Sequence, residues 1–314
     1  MVVRLPYLTC YTYTNKTIIM FEPKRILVPR ATLSKSGGMA ELALEFAGRF
    51  DAEVFLLRVD LDSVAGFENY LWSLSADEAG NREAAEPEAG SDDDSGRTDL
   101  HLEHAGTQPA VTAIIDFTLL HEIDLIMIAA HTHSVLGKRV FGGVQLEVLR
   151  WAPCTVLTGR RERAAALAEK PIEKILVPVD FSEHAARALQ VAGVIADRYG
   201  AELCALHVHE ERIIPRFSDK GVSHAVLPSD QDYPEDADEA LRSFVKEHST
   251  SNTKTTCFTE RGYIGAKTAS TATKIGADLV IISAKGLTND PDVELGRAAD
   301  RIVRRAPCPV LTLK

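Results

Sequence analysis

The sequence predicts two tandem α/β domains, each a doubly wound, five-stranded parallel sheet of the Rossmann-like kind. Three observations carry that reading. Short β-branched runs alternate with stretches of helical periodicity. The alternation occurs twice, about 150 residues apart, a period that marks duplicated domains and not a solenoid. And 314 residues suffice for two domains, each with its own core.

In chain order, Met1–Ile19 is Thr- and Tyr-rich, with neither an apolar core nor a small-residue cleavage site, so it does not read as a secretory signal. It is expected to be an extension without regular structure, from an upstream start, with Met20 as the natural beginning. The alternative is an added edge strand over Tyr7–Ile19. The first domain (20–161) opens with a strand at Arg25-Ile26-Leu27-Val28-Pro29. A helix over Ser36–Phe50 follows, with Ala40, Leu44 and Ala47 on one face, then a strand over Ala52–Val59. In the second domain (172–314) the same block recurs without a gap: strand Lys174–Pro178, helix His184–Tyr199, strand Ala201–Val208. Ile-Leu-Val-Pro, the arginines Arg49 and Arg198, and the Ala-Glu pairs at 52–53 and 201–202 all repeat.

The later halves repeat too. Asp124 and Asp278 each lead an apolar strand, and Trp151-Ala152-Pro153-Cys154 matches Arg305-Ala306-Pro307-Cys308 before the last strand. Glu162–Pro171, rich in Ala and charge, reads as the linker (162–171). The inserts differ. Residues 60–97 contain an acidic low-complexity tract over Glu83–Ser95, too poor in apolar residues to fold alone, with helical patches at Phe67–Leu74. The second domain has a shorter loop, Glu210–Pro234, and then a helix over Glu235–His248.

The chemistry concentrates in Asp278–Leu313. A buried strand leads to the turn Ser283-Ala284-Lys285-Gly286, a loop, and Gly296 opening a helix over Arg297–Arg305. The residues from Ala306 to Pro309 stop that helix and release the strand Val310–Leu313. Glycine lets backbone approach an anion, and the free N–H groups of a first helical turn point at it.

These residues resemble the universal stress proteins in tandem form, over nearly everything from Lys24 to Lys314 except the acidic insert. The likeness rests on Ile-Leu-Val-Pro-Val-Asp180-Phe-Ser, Leu-His-Val208 and Asp278-Leu-Val-Ile-Ile. ATP-binding members of that family carry Gly-x-x-Gly, nine residues, then Gly followed by Ser or Thr. Here Ser283 stands at the first glycine and Arg297 at the small hydroxyl, while Gly286, Gly296 and the spacing between them survive. The resemblance implies a pocket lined by Pro178, Asp180, Val208, Ile282, Ser283, Lys285, Gly286, Gly296, Arg297 and Ala298. Asp180 would sit at the nucleoside end and Val208 against the adenine. Lys285 and Arg297 favour an anion, although a bulky Arg297 equally fills the phosphate site. The ligand implied is ATP or AMP in the second domain only, with no metal beyond the Mg that accompanies ATP. In the first domain the turn is Ala129-Ala130-His131-Thr132, followed after nine residues by Gly142-Gly143. Ala31 replaces the aspartate and Arg30 its apolar neighbour, so that copy is expected to be degenerate. Gly142 there fits a tight turn needed by packing.

The remaining signals are bland. A net charge of −10 argues against a nucleic-acid partner, and no run is long and apolar enough to span a bilayer. Five scattered cysteines read as structural thiols in a reducing cytoplasm. His207 and His209, near Glu210 and Glu211 with His184 and His224 elsewhere, match no metal template and share a face only if their strand runs on. Ser182 reads as a helix N-cap and not as a nucleophile, and no catalytic residue is assigned. Three functions stay open: a nucleotide-binding regulatory protein with at most slow hydrolysis, a nucleotide-free interaction protein, and an adenine-nucleotide α-hydrolase-like enzyme. The resemblance also implies an internal pseudo-dimer through Thr155–Thr158 and Val310–Leu313, leaving a further homodimer and the protein partners open.

Overall fold

The computed structural model describes residues 2–5, 8–13, 16–31, 38–59, 70–74, 110–130, 132–135, 138–141, 143–210, 212–218, 221–227, 236–249, 255–287 and 294–314. The chain forms two compact units, Glu22–Lys170 and Pro171–Lys314, and Met1–Phe21 groups with the latter. That first stretch makes a small sheet of its own from β1 (Val2–Leu5), β2 (Leu8–Tyr13) and β3 (Lys16–Met20), each antiparallel to the next. It is neither the unstructured extension nor the added edge strand that the sequence suggests. Thr and Tyr, which favour extended backbone, are what the stretch is rich in.

The unit of residues 22–170 holds β4 (Arg25–Ala31), α1 (Met39–Phe50), β5 (Glu53–Val59), β6 (Tyr70–Leu74), α2 (Ala110–Leu120) and β7 (Leu125–Ala130). After them come β8 (Thr132–Val135), β9 (Lys138–Phe141), α3 (Gly143–Trp151), β10 (Thr155–Arg160) and α4 (Arg161–Ala168). Strands β8 and β9 form an antiparallel pair of their own, and the other strands lie in the order β10-β7-β4-β5-β6. The first four are parallel, but β6 runs antiparallel to β5, so this sheet is mixed at its edge. Tyr-Leu-Trp-Ser-Leu, read as part of a helical patch, is strand, and its two aromatics are residues that strands accept readily. The rest of the acidic insert lies outside the described residues. The supposed linker is largely α4, an Ala-rich helix that buries Ala164 and Leu167. It packs so closely on the start of α1 that a Cβ on Gly38 would overlap the Arg161 carbonyl and sit 2.7 Å from the Ala165 nitrogen.

The unit of residues 171–314 runs β11 (Lys174–Val179), α5 (Glu183–Tyr199), β12 (Glu202–His209), β13 (Arg212–Ser218), β14 (Gly221–Leu227) and α6 (Ala237–His248). It continues with β15 (Thr255–Arg261), α7 (Ile264–Ile275), β16 (Leu279–Ser283), α8 (Arg297–Arg305) and β17 (Val310–Leu313). The order β15-β12-β11-β16-β17 is parallel throughout. The loop expected at Glu210–Pro234 carries the antiparallel hairpin β13–β14. Burial explains the central strands: Ile175, Leu176, Val177, Leu203, Leu206, Leu279, Val280 and Ile281 are all excluded from solvent. The longest helix, α5, begins at Ser182, whose Oγ accepts from the Ala185 N–H at 3.1 Å, and ends on Gly200 in the left-handed region.

The duplication extends to single hydrogen bonds. In one unit Asp124 Oδ2 accepts from the backbone N–H of Lys24 (2.8 Å) and Arg25 (2.9 Å). In the other, Asp278 Oδ2 accepts from Glu173 (2.9 Å) and Lys174 (3.1 Å). The aspartate that leads each apolar strand is therefore a clamp on the first strand of its sheet.

Candidate functional site

Strands β11 and β16 are neighbours for two residue pairs only, Ile175↔Leu279 and Leu176↔Val280. Beyond Leu176 and Val280 they part, although β11 runs on to Val179 and β16 to Ser283. From β11 the chain goes to β12 on one side and later to β16 on the other, so this is the sheet's topological switch point. Crevices at the carboxyl ends of strands at such points are where open α/β sheets take ligands.

One lip is the end of β11. Pro178 is half-buried in the strand, and Asp180 follows it. The carboxylate is engaged at both oxygens. Oδ1 accepts from the Ser182 N–H (3.1 Å) and from the Ser182 hydroxyl (2.5 Å), and Oδ2 accepts from the Leu287 N–H (3.2 Å). Between them Phe181 holds a left-handed φ of 62°, a conformation uncommon for a bulky residue. Its ring lies 4.5 Å from that of His207 and 5.6 Å, edge-on, from that of Phe244.

The other lip is the end of β16. Ile282 is buried, Ser283 and Lys285 are half-exposed, and Leu287 is 70% exposed. The turn is pinned at its start, where the Ala284 N–H donates to Leu313 O (2.8 Å) and Ala284 O accepts from the Gly296 N–H (2.7 Å). A Cβ on Gly286 would lie 2.6 Å from Asp180 Oδ2, and one on Gly296 3.1 Å from Ala284 O. Each glycine thus has a reason in close approach within the chain itself: an added Cβ would displace the carboxylate at one and press on a carbonyl at the other. Gly296 N-caps α8 without any side-chain bond, and Arg297 and Ala298 are exposed. The N–H groups of a first helical turn carry the positive end of the helix dipole. Arg297 is exposed, at the first position of α8. Val208, buried in β12, stands one strand away from β11. Residues 288–293 of the nine-residue loop lie outside the described residues.

The structure therefore joins Asp180 to Gly286 and Leu287, and Gly296 to Ala284. Nothing in the sequence announces Leu287, because it contributes its backbone and not its side chain. The same is true of Gln145. In the unit of residues 22–170, β4 and β7 also part after two pairs, Ile26↔Leu125 and Leu27↔Ile126. There the buried Gln145, in the first turn of α3, donates its amide to Ala129 O at 2.9 Å. The corresponding position in α8 is the small, buried Ala299. The side chains of Arg30 and Ala31, with His131 and Gly142, lie outside the described residues.

The histidines have a local explanation. Strand β12 extends through His209, so His207 and His209 do share a face. His207 Nδ1 sits 2.8 Å from Val179 O and its ring packs on Phe181. Among the described residues no cluster of three His, Cys, Asp or Glu side chains has the geometry to hold a metal ion. Burial pushes the Cys204 thiol up to about 11, and the same cause raises Cys257, which disfavours the reactive thiolate at either. No helix among the described residues is long and apolar enough to cross a membrane.

The family model described as Universal stress protein family matches residues 22–160 and again 171–314. A universal stress protein of Methanocaldococcus jannaschii is 27% identical over 146 residues, covering 46% of this chain and 84% of that protein. Among solved structures, a universal stress protein from Archaeoglobus fulgidus aligns with a TM-score of 0.58 at 18% identity, covering 94% of this chain and 99% of that one. A putative universal stress protein from Pseudomonas aeruginosa aligns with the same TM-score of 0.58 at 19% identity, covering 93% of each chain. At such identities the structural likeness shows the fold alone.

Proposed function

This chain belongs to the universal stress protein family, with two of its domains in tandem, and on that premise we propose that the domain of residues 171–314 binds an adenine nucleotide while the domain of residues 22–170 serves as scaffold. The protein is then a regulatory binding protein, with hydrolysis at most slow. The observation that carries the reading is the parting of β11 from β16 at the switch point, with the start of α8, whose N-cap is a glycine, beside it. Lys285 and Arg297, neither of them buried, supply cations for an ATP or AMP phosphate. Val208 stands at the nucleoside side, and Asp180 at the end of β11 faces the turn across the crevice. Mg would arrive with ATP, since Asp180 is the one carboxylate among the described pocket residues. The asymmetry follows from the turns: the first domain has Thr132 where the second has Gly286, and Gln145 where the second has Ala299.

A second reading is favoured by one observation. Gly286 and Gly296 are both explained by packing against Asp180 and Ala284, which needs no ligand. In that case the protein is a nucleotide-free interaction module. Calorimetry with ATP and AMP separates the two. Heat at one equivalent per chain for the wild type, lost in Gly296→Trp, supports nucleotide binding; a wild type silent with both ligands gives the protein to the second reading. Family membership also carries the proposal that Thr155–Thr158 and Val310–Leu313 cover each other, relieving two strand edges of unpaired N–H and C=O groups. Slow amide exchange along both strands of the intact chain supports this pairing, and fast exchange along either overturns it.

A further inference from the structure

We propose that Asp180 is a positioning residue: it acts on a bound nucleotide by fixing the turn at Gly286–Leu287, and does not itself grip the nucleoside. This rests on the nucleotide reading above and alters the role of one residue within it. A carboxylate has about four acceptor positions, and three are taken here. Two hold the start of α5 through Ser182, and the third holds the Leu287 N–H across the crevice. The Oδ2 atom also lies directly against Gly286, where a Cβ would come within 2.6 Å. Only glycine lets the carboxylate in so close, which ties the glycine of the turn to the aspartate on the opposite lip.

The anchoring of the turn makes this bond matter. Its start is held by two backbone hydrogen bonds at Ala284. Toward its far end, among the described residues, the bond to Asp180 is what reaches Leu287, a residue 70% exposed that gives little packing. Lys285 and Gly286 lie between these two anchors, and they are the residues that would face a phosphate. Remove the carboxylate and the phosphate side of the site loosens, while the nucleoside side, set by the ends of β11 and β12, stays as it is.

Two measurements on the full chain test this. In amide exchange without nucleotide, Asp180→Ala should speed Leu287 by about tenfold or more, the scale of one lost charge-assisted bond, and leave Gly296 unchanged. In calorimetry, the same variant should weaken ATP by about tenfold and leave adenosine unaltered. Asp180→Asn, which keeps the shape and one acceptor oxygen, should do the same to a lesser degree, and it serves if Asp180→Ala does not fold. Adenosine affinity falling in step with ATP overturns the proposal, since that places Asp180 on the nucleoside. Equal Leu287 exchange in wild type and variant overturns it as well. A wild type that takes up neither compound defeats the nucleotide reading and the claim about the nucleotide with it, while exchange at Leu287 still decides whether Asp180 holds the turn.

Discussion

Cys204 shows how far a single position is set by its surroundings. It lies in a central parallel strand, 1% exposed, and burial lifts its thiol from the ordinary 9.0 to about 11, with Glu202 adding to the rise and Lys174 opposing it. The fold thus favours the neutral thiol. The stability this confers is whole below pH 9.0 and is lost as the pH climbs through 11, where the folded chain must also ionise. Urea midpoints should therefore fall between pH 9 and 11, and Cys204→Ala should flatten that fall; an unchanged slope in the variant would locate the alkaline loss elsewhere. A thiol-specific reagent at pH 8 should leave Cys204 unlabelled until denaturant is added. Phe181, by contrast, holds an unfavourable φ, and its neighbours stabilise it there: His207 and Phe244 pack its ring, and Asp180 bridges over it to Ser182.

At the scale of elements, the two copies solve the end of a helix differently. In the unit of residues 171–314, α5 and α7 close on Gly200 and Gly276, both at φ 69°. A Cβ at either would meet nothing within 4 Å, so the backbone angle alone calls for glycine. The matching positions of the other unit are Asp51 at φ 53° and Glu122 at φ 49°. Both are exposed, and their ion pairs to Lys24 (3.6 Å) and Arg25 (3.9 Å) are solvated and worth little. Glu122→Gly should raise stability by roughly 0.5–1 kcal/mol, and Asp51→Gly by less, because Asp tolerates the left-handed region better than Glu. Denaturant midpoints of the two variants read this directly, and a destabilised Glu122→Gly would defeat it.

The same elements mark what the sequence makes legible. Repetition exposes the sheets, and spacing places α8 and β17 at their observed bounds, Arg297–Arg305 and Val310–Leu313. Strand β6 is missed because five residues with a helical spacing of apolar side chains fit a strand edge equally well. The hairpin β13–β14 is missed because it has no counterpart in the other copy to reinforce it. In the crevice, Gly286 and Gly296 are visible as a spaced pair, but the residue that meets Gly286 is not. Asp180 reaches it from more than a hundred positions away in the chain, through a contact that only the fold creates.

For the whole molecule, duplication has a consequence that spectroscopy can read. Both tryptophans, Trp72 and Trp151, belong to the unit of residues 22–170. Indole fluorescence therefore follows the unfolding of that unit, whereas far-ultraviolet circular dichroism follows both. Each unit has its own aspartate clamp with two backbone donors, and losing either clamp should cost about 2 kcal/mol, the scale of bonds made to a charged group. Asp124→Ala should move the fluorescence transition to lower urea. Asp278→Ala should leave fluorescence in place and shift only the remaining part of the dichroism curve, because separate domains need not unfold as one. Should Asp278→Ala drag the fluorescence midpoint down as far as Asp124→Ala does, the two units melt as one cooperative body. In that event a clamp in either copy stabilises both.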